Sequence, residues 1–208
     1  GRPGVRVVVN ERGPFLFVVD TATTNTVFTP ALFDRLRPPQ LPGPPVDIIS
    51  AAGSVRSHYY AIGEIAVAGV IVGGGRAVVM ALPEDPIVMG ILGAEFLSNF
   101  KVDLDLRIQR MTLYPENGPI PTAGLARLQG YVTEHGLIVV PARIEGIPVS
   151  ASFDSGGRQT IANTWLAAAT GHFDAVKVHN RESWVRDVAR RRFFGQSETF
   201  ARIQLGPL

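Results

Sequence analysis

The chain contains no cysteine, which excludes disulfide bonds, thiol nucleophiles and Cys-ligated zinc together. It also lacks any apolar run close to the roughly 20 residues of a membrane-spanning helix, so we expect no membrane segment in it. An excess of one charge is absent as well, because 20 basic and 18 acidic residues leave a formal net charge of only +2. A balance this even does not predict a nucleic-acid partner.

The 208 residues are instead rich in apolar side chains and in residues that interrupt helices. Hydrophobic residues make up 46% of the chain and charged residues 18%, which predicts a folded protein with a buried core. Twenty-two glycines and sixteen prolines favour strands and turns over a helical bundle. The four histidines have no metal-ligand spacing, so we expect no metal and no cofactor. The composition therefore predicts an all-β fold with a few short helices.

Short β-branched and aromatic runs, bounded by glycine and proline, predict the individual strands. Thr29 and Pro30 predict the start of a helix, as N-cap and first helical residue. The segment Gly118–Pro121 is the best linker in the chain, so we expect two domains, residues 1–118 and residues 119–208. The predicted strands are Val5–Asn10, Phe15–Val19, Val46–Ser50, Tyr59–Val67, Val70–Val72, Ala77–Leu82, Lys101–Asp105, Arg110–Tyr114, Leu137–Glu145, Val149–Phe153 and Thr199–Leu205, and the predicted helices are Pro30–Leu36, Ala94–Asn99 and Ala162–Thr170.

A degenerate repeat relates the two halves of the chain. When Asp154 is laid over Asp20, an offset of 134 residues (154 − 20), Thr21 meets Ser155 and the small residue Ala22 meets Gly156. In both copies a predicted strand is followed by Asp, a hydroxyl residue and a small residue, and then by a predicted short helix. The repeat predicts two similar lobes that face each other, each with one carboxylate at the end of a buried strand.

Two such carboxylates have a definite chemistry if they come within hydrogen-bonding range. They cannot both ionise cheaply, so they share one proton. The ionised member takes a proton from a water held between them, while the protonated member polarises the carbonyl under attack. The hydroxyls of Thr21 and Ser155 can bond across the boundary between the lobes, and the small residues Ala22 and Gly156 allow backbone to approach the pair closely.

The residues around both carboxylates resemble a known family. Phe15–Thr23, with Asp20-Thr21-Ala22 at its centre, is similar to the first catalytic loop of aspartic peptidases, and Phe153-Asp154-Ser155-Gly156 resembles the second. Ile91-Leu92-Gly93 is similar to the later hydrophobic-hydrophobic-Gly half of a retropepsin-like lobe. The resemblance is to bacterial retropepsin-like aspartyl proteases with tandem lobes, and Ala22 departs from it because the family prefers Gly there.

The resemblance implies closed β-barrel lobes and an aspartic endopeptidase that acts on a peptide or protein substrate. It also implies an exported, periplasmic protein. A hairpin flap covers the cleft of each lobe in this family. Here the first flap would be formed by Ala51, Ala52 and Gly53 with the strand through Tyr60, and the second would lie near Phe194 and Gly195.

The second lobe departs more strongly from the family pattern. The counterpart of Ile91 would fall near position 225 (91 + 134), after the last residue given, so we expect an incomplete second lobe. A C-terminal segment outside this chain or a second copy would then complete it. Two further functions therefore stay open, namely a homodimeric enzyme that uses Asp20 from each copy and an inactive peptidase-like module that only binds peptides.

Overall fold

The computed structural model describes residues 2–50, 53–82, 86–134, 136–171, 183–186, 192–195 and 199–206. Their secondary structure is mostly strands with three short helices, which confirms the predicted all-β class. The strands are β1 Gly4–Val9, β2 Arg12–Val19, β3 Thr26–Phe28, β4 Val46–Ser50, β5 Gly53–Ser57, β6 Tyr59–Ala61, β7 Glu64–Val67, β8 Val70–Gly73, β9 Arg76–Val79, β10 Val88–Leu92, β11 Phe100–Asp105, β12 Arg110–Pro115, β13 Tyr131–Val132, β14 Ile138–Ile144, β15 Ile147–Ser152, β16 Ser183–Arg186, β17 Arg192–Gly195 and β18 Ile203–Leu205. The helices are α1 Pro30–Leu36, α2 Ala94–Leu97 and α3 Thr164–Ala169.

Eight strands form the first sheet, in the order β6-β9-β3-β10-β2-β1-β7-β8. Most neighbours are antiparallel, but β10 runs parallel to β2 and β9 runs parallel to β3. The path is open in the described residues, because no ladder joins β6 to β8. The closed barrel therefore stays a prediction.

The core of this part of the chain lies on β1, β2, β3, α1 and β10. The side chains of Phe17, Phe28, Leu32 and Leu92 are completely buried there. Gly90 belongs to the same core, because a methyl group at its Cα would lie 2.5 Å from the Phe17 ring and from the Val27 carbonyl oxygen. Only glycine allows β10 to enter between β2 and β3 at this point.

The second sheet contains β13, β14, β15 and β18. Strand β14 pairs with β15 on one side and with both β13 and β18 on the other. The β14–β15 hairpin repeats β1–β2 at the 134-residue offset, and α3 repeats α1. Even the caps agree, since the side chain of Thr29 accepts from the Leu32 N–H and that of Asn163 accepts from the Leu166 N–H.

Several predicted elements differ in detail from the structure. The predicted strand Tyr59–Val67 is two strands, because β6 pairs with β9 whereas β7 pairs with β1 and β8, and a bend at residues 62–63 separates them. The β1–β2 turn is Asn10-Glu11, where both residues have positive φ, rather than the segment Glu11–Pro14. The final strand is β18, which is shorter than the predicted Thr199–Leu205 and pairs antiparallel with β14. Strands β3, β5, β10, β13, β16 and β17 were not among the predicted strands.

No helix in the described part of the chain has the length and apolarity needed to cross a bilayer.

Candidate active site

Asp20 and Asp154 follow the equivalent strands β2 and β15. Strand β2 lies between β1 and β10, so the backbone at its end is held from both sides. The Asp20 N–H donates to the Leu92 carbonyl oxygen at 3.1 Å. This fixes the first carboxylate at the C-terminal end of a buried strand.

Four reciprocal hydrogen bonds join the loop after Asp20 to the loop after Asp154. The Thr21 hydroxyl donates to the Phe153 carbonyl oxygen at 2.6 Å and accepts from the Ser155 N–H at 3.1 Å. The Ser155 hydroxyl donates to the Val19 carbonyl oxygen at 2.8 Å and accepts from the Thr21 N–H at 3.1 Å. Each hydroxyl therefore binds the backbone on either side of the opposite aspartate. We call this set of four bonds the hydroxyl clamp.

Asp20 is nearly fully buried, with 7% of its surface exposed. Its Oδ1 accepts from the Ala22 N–H at 2.9 Å, and its Oδ2 accepts from the Thr23 hydroxyl at 2.7 Å. Burial raises the pKa of Asp20 above the ordinary carboxyl value, and the negative charge of Asp154 raises it further. The hydrogen bonds from Thr23 and Ala22 act in the opposite direction without reversing the shift. The environment of Asp20 thus favours the protonated form of its carboxyl group.

Asp154 has a different environment from Asp20. Its side chain is exposed, and its Oδ1 accepts from the Gly157 N–H at 2.7 Å. The 134-residue offset pairs Thr23 with Gly157, so the second loop has no hydroxyl that could repeat the bond from Thr23 to Asp20. The two carboxylates are equivalent by sequence position but not by burial or by hydrogen bonding.

The two small residues of the loops also differ. A methyl group on Gly156 would collide with the Asp20 carboxylate, so glycine is required there. Ala22 carries a methyl group at the equivalent position, and its φ is not positive. Gly156 therefore lets the second loop reach Asp20, whereas the backbone at Ala22 has no conformational need for glycine.

A cavity of about 1210 Å³ lies over these loops, and both aspartates line it. An apolar wall is formed by buried residues of β3, β9 and β10 and by the residue that follows β9. Strand β4 contributes Asp47, Ile48 and Ile49 from the β4–β5 hairpin, which is a separate two-stranded sheet. The residues of the apolar wall are Val27, Val78, Met80 and Ile91. The cavity is large enough for several side chains of an extended ligand.

The sequence of this region matches a known family. Residues 5–96 match the sequence pattern of a protein family described as "Aspartyl protease". The chain has no significant match among curated proteins. The match confirms the resemblance to retropepsin-like aspartyl proteases and supports a general aspartic protease function.

The matched segment contains Asp20, Thr21 and Ala22, and it ends in α2. The clamp connects it to Ser155 and to the loop of Asp154, which lie outside the matched residues. The structure therefore brings both predicted loops together around one cavity. No group of three or more potential metal ligands is found in the described ranges.

The residues predicted for the first flap lie in different parts of the structure. Ala51 and Ala52 lie outside the described residues, and Gly53 pairs with Ser50 at the end of the β4–β5 hairpin. Tyr60 does not line the cavity and instead packs against Phe33 of α1, with ring centroids 4.8 Å apart. The reason is the alternation of side chains along β6, which places Tyr59 rather than Tyr60 on the cavity side.

Phe194 and Gly195 lie on β17, where their backbone pairs with Trp184 and Ser183 of β16. This β16–β17 hairpin follows α3 as the β4–β5 hairpin follows α1. The predicted position of a second hairpin thus falls on a hairpin of the structure.

Three residues of the site were not predicted from the sequence. Thr23 was missed because a hydroxyl three residues after an aspartate is also typical of ordinary turns. Arg76 lines the cavity with its guanidinium carbon 4.0 Å from the centroid of the Tyr59 ring. Glu95 accepts the backbone N–H groups of Arg76 at 2.8 Å and Thr26 at 3.4 Å, and so ties α2 to the starts of β9 and β3. No local sequence signal identifies partners so far apart in the chain.

Proposed function

We propose that this protein is an aspartic endopeptidase in which Asp20 and Asp154 activate one water for attack on a peptide bond. The observation that carries the proposal is the hydroxyl clamp, which joins the two aspartate loops at the floor of a single cavity. The aspartyl protease match of residues 5–96 supports the same reaction class.

The different burial of the two carboxyl groups suggests their roles. Asp20 is buried and has a raised pKa, so it holds the shared proton and donates it to the substrate carbonyl oxygen. Asp154 accepts a proton from the water, whose oxygen attacks the carbonyl carbon to give a gem-diol. When the gem-diol collapses, one of its hydroxyl groups returns a proton to Asp20, the C–N bond breaks, and the leaving nitrogen takes the proton held by Asp154. No covalent intermediate with the protein is formed.

The β4–β5 hairpin is the part of the site that fits the role of a flap. It pairs with no other strand in the described residues, and its Ile49 side chain is 84% exposed beside the cavity. An extended peptide beneath it would place side chains against the apolar wall. Closure of the hairpin would then remove water from the reacting bond.

Substitution of each aspartate tests the proposal. We expect Asp20→Asn and Asp154→Asn each to lower the cleavage of an unfolded protein substrate by at least about 100-fold, since the general acid or base is lost. Asp34→Asn is the matched control, because Asp34 is an exposed carboxyl group on α1 that does not line the cavity. Wild-type turnover in either aspartate variant would contradict the proposal.

A peptide-binding module without turnover is the second candidate. The unequal environment of the two carboxyl groups favours it, because Asp20 is buried whereas Asp154 is exposed to solvent. Peptide binding without hydrolysis from pH 3 to pH 8 would identify this function.

A homodimer built on Asp20 is disfavoured, because Ser155 and Phe153 of the same chain already occupy the hydrogen-bonding groups of Thr21. A periplasmic location stays a prediction that cell fractionation can test.

A further inference from the structure

Arg76 is a cationic residue of the cavity that the proposed mechanism does not use. It is the first residue of β9, and its side chain lies on the same face of the strand as Val78 of the apolar wall. The side chain forms no ion pair and no hydrogen bond with the residues that the structure describes. The guanidinium N–H groups are therefore available to a ligand in the cavity.

Contacts on two sides hold this guanidinium in place. Its central carbon lies 4.0 Å from the centroid of the half-buried Tyr59 ring, where a cation is attracted to the ring face. The backbone of Arg76 pairs with Ala61 of β6, and its N–H donates to Glu95 Oε1 at 2.8 Å. A guanidinium held on an aromatic ring keeps N–H groups at its edge, and their fork matches the two oxygens of a carboxylate.

Two of the carboxylates that line the cavity outside the aspartate loops already have partners. Asp47 forms an ion pair with Arg56, in which Oδ1 lies 3.5 Å from Nε. Glu95 accepts the N–H of Arg76 through Oε1 and the N–H of Thr26 through Oε2. Neither carboxylate forms an ion pair with the guanidinium of Arg76. A carboxylate of a ligand can therefore bind this guanidinium without displacing either of them.

We propose that Arg76 is a specificity-determining residue that binds an acidic side chain of an extended peptide in the cavity. Two other arginines that line the cavity, Arg2 and Arg158, each interact with another residue already. Because β6 and Glu95 fix the backbone of Arg76, the acidic residue should occupy one fixed position relative to the cleaved bond. That this peptide is a substrate rests on the proposed function, but the preference of the cavity for an acidic side chain does not.

The cleavage sites in a mixture of unfolded proteins, identified by mass spectrometry, test the preference during turnover. With the wild-type protein we expect Asp and Glu to be enriched at one position relative to the cleaved bond. Arg76→Gln should abolish this enrichment, since it removes the charge but keeps the backbone N–H that binds Glu95. Arg110→Gln is the matched control and should keep the wild-type profile, because Arg110 is an exposed residue of β12 that does not line the cavity.

Binding is measured separately with Asp154→Asn protein, so that the peptides stay intact. The probes are short peptides of leucine, alanine and serine with an amidated C-terminus and an uncharged nitrobenzoxadiazole label, each with a single Glu at a successive position, and their Gln counterparts. Fluorescence anisotropy should show that one Glu peptide binds at least about fivefold more tightly than its Gln counterpart. This difference should vanish when Arg76→Gln is added. Tyr59→Phe keeps the ring and should retain the difference, whereas Tyr59→Leu should reduce it at least about twofold.

The two experiments separate this proposal from the peptidase assignment. Cleavage by the wild-type protein without acidic enrichment would overturn the role of Arg76 and leave the peptidase assignment intact. Preferential binding of a Glu peptide without any cleavage by the wild-type protein would overturn the peptidase assignment and support the role of Arg76. Equal binding of the Glu and Gln peptides, no binding of either, or a preference for Glu that survives Arg76→Gln would overturn the proposal.

Discussion

The hydroxyl clamp gives the most direct prediction about how the two aspartate loops are held. Thr21→Val keeps the shape of the side chain but removes one bond to the Phe153 carbonyl oxygen and one from the Ser155 N–H. Ser155→Ala removes the two symmetric bonds to Val19 and Thr21. A net hydrogen bond contributes about 1 kcal/mol, so each variant should lose about 2 kcal/mol of unfolding free energy.

The double variant should lose less than the sum of the two single losses. Both hydroxyls hold the same pair of backbone segments, so once one is removed the loops can separate and the second stabilises less. We expect a coupling energy of about 0.5–1 kcal/mol in the double-mutant cycle. Urea unfolding followed by circular dichroism at neutral pH measures all four proteins.

Thr112→Val is the control for the clamp. Thr112 is a half-buried residue of β12, and its side chain makes no hydrogen bond with the described residues. Its loss should stay within about 0.5 kcal/mol. Losses at Thr21 and Ser155 no larger than this control, or strict additivity of the two, would refute the reasoning that the clamp joins the loops.

Two further predictions concern the environment of Asp20. Burial raises the pKa of Asp20 in the folded protein, so ionisation of this group lowers the unfolding free energy as pH rises from about 4 through the folded-state pKa. We therefore expect Asp20→Asn to be more stable than wild type at pH 7 and equally stable below about pH 4. Denaturant titrations at both pH values test this, and a less stable variant at pH 7 would contradict it. Gly156→Ala should destabilise the protein by about 1–3 kcal/mol because the methyl group meets the Asp20 carboxylate, whereas Ala22→Gly should cost no more than about 1 kcal/mol and keep activity. Thermal unfolding and peptidase assays of the two variants compare them, and equal effects would contradict the asymmetry of the loops.

Local sequence patterns predicted most strands of the structure and the start of α1. The alternation of apolar residues places β1 and β2, and Thr29 with Pro30 places the start of α1, because caps and turns depend on a few neighbouring residues. Tyr60 shows the limit of such patterns. Two adjacent tyrosines point to opposite faces of a strand, and only the packing of Phe33 decides which one faces the cavity.

The 134-residue repeat predicted that the two aspartate loops would be related. It did not indicate that the two carboxyl groups differ in burial and in hydrogen bonding. Asp20 is buried because β10 arrives from about 70 residues later in the chain and lies against β2. Asp154 is exposed because no described strand does this for β15. Similar local sequences thus acquire different electrostatics from distant neighbours.

The sequence by itself determined the β-rich class, the two Asp-hydroxyl-small loops and their spacing, because these follow from residue types and short-range periodicity. Only the tertiary structure decided that Thr21 binds the backbone of Phe153, that Glu95 binds the N–H of Arg76, and that one carboxylate is buried while the other faces solvent. Burial and pairing between distant segments depend on the tertiary packing of the whole chain, and this packing determines the pKa of a buried carboxyl group such as that of Asp20.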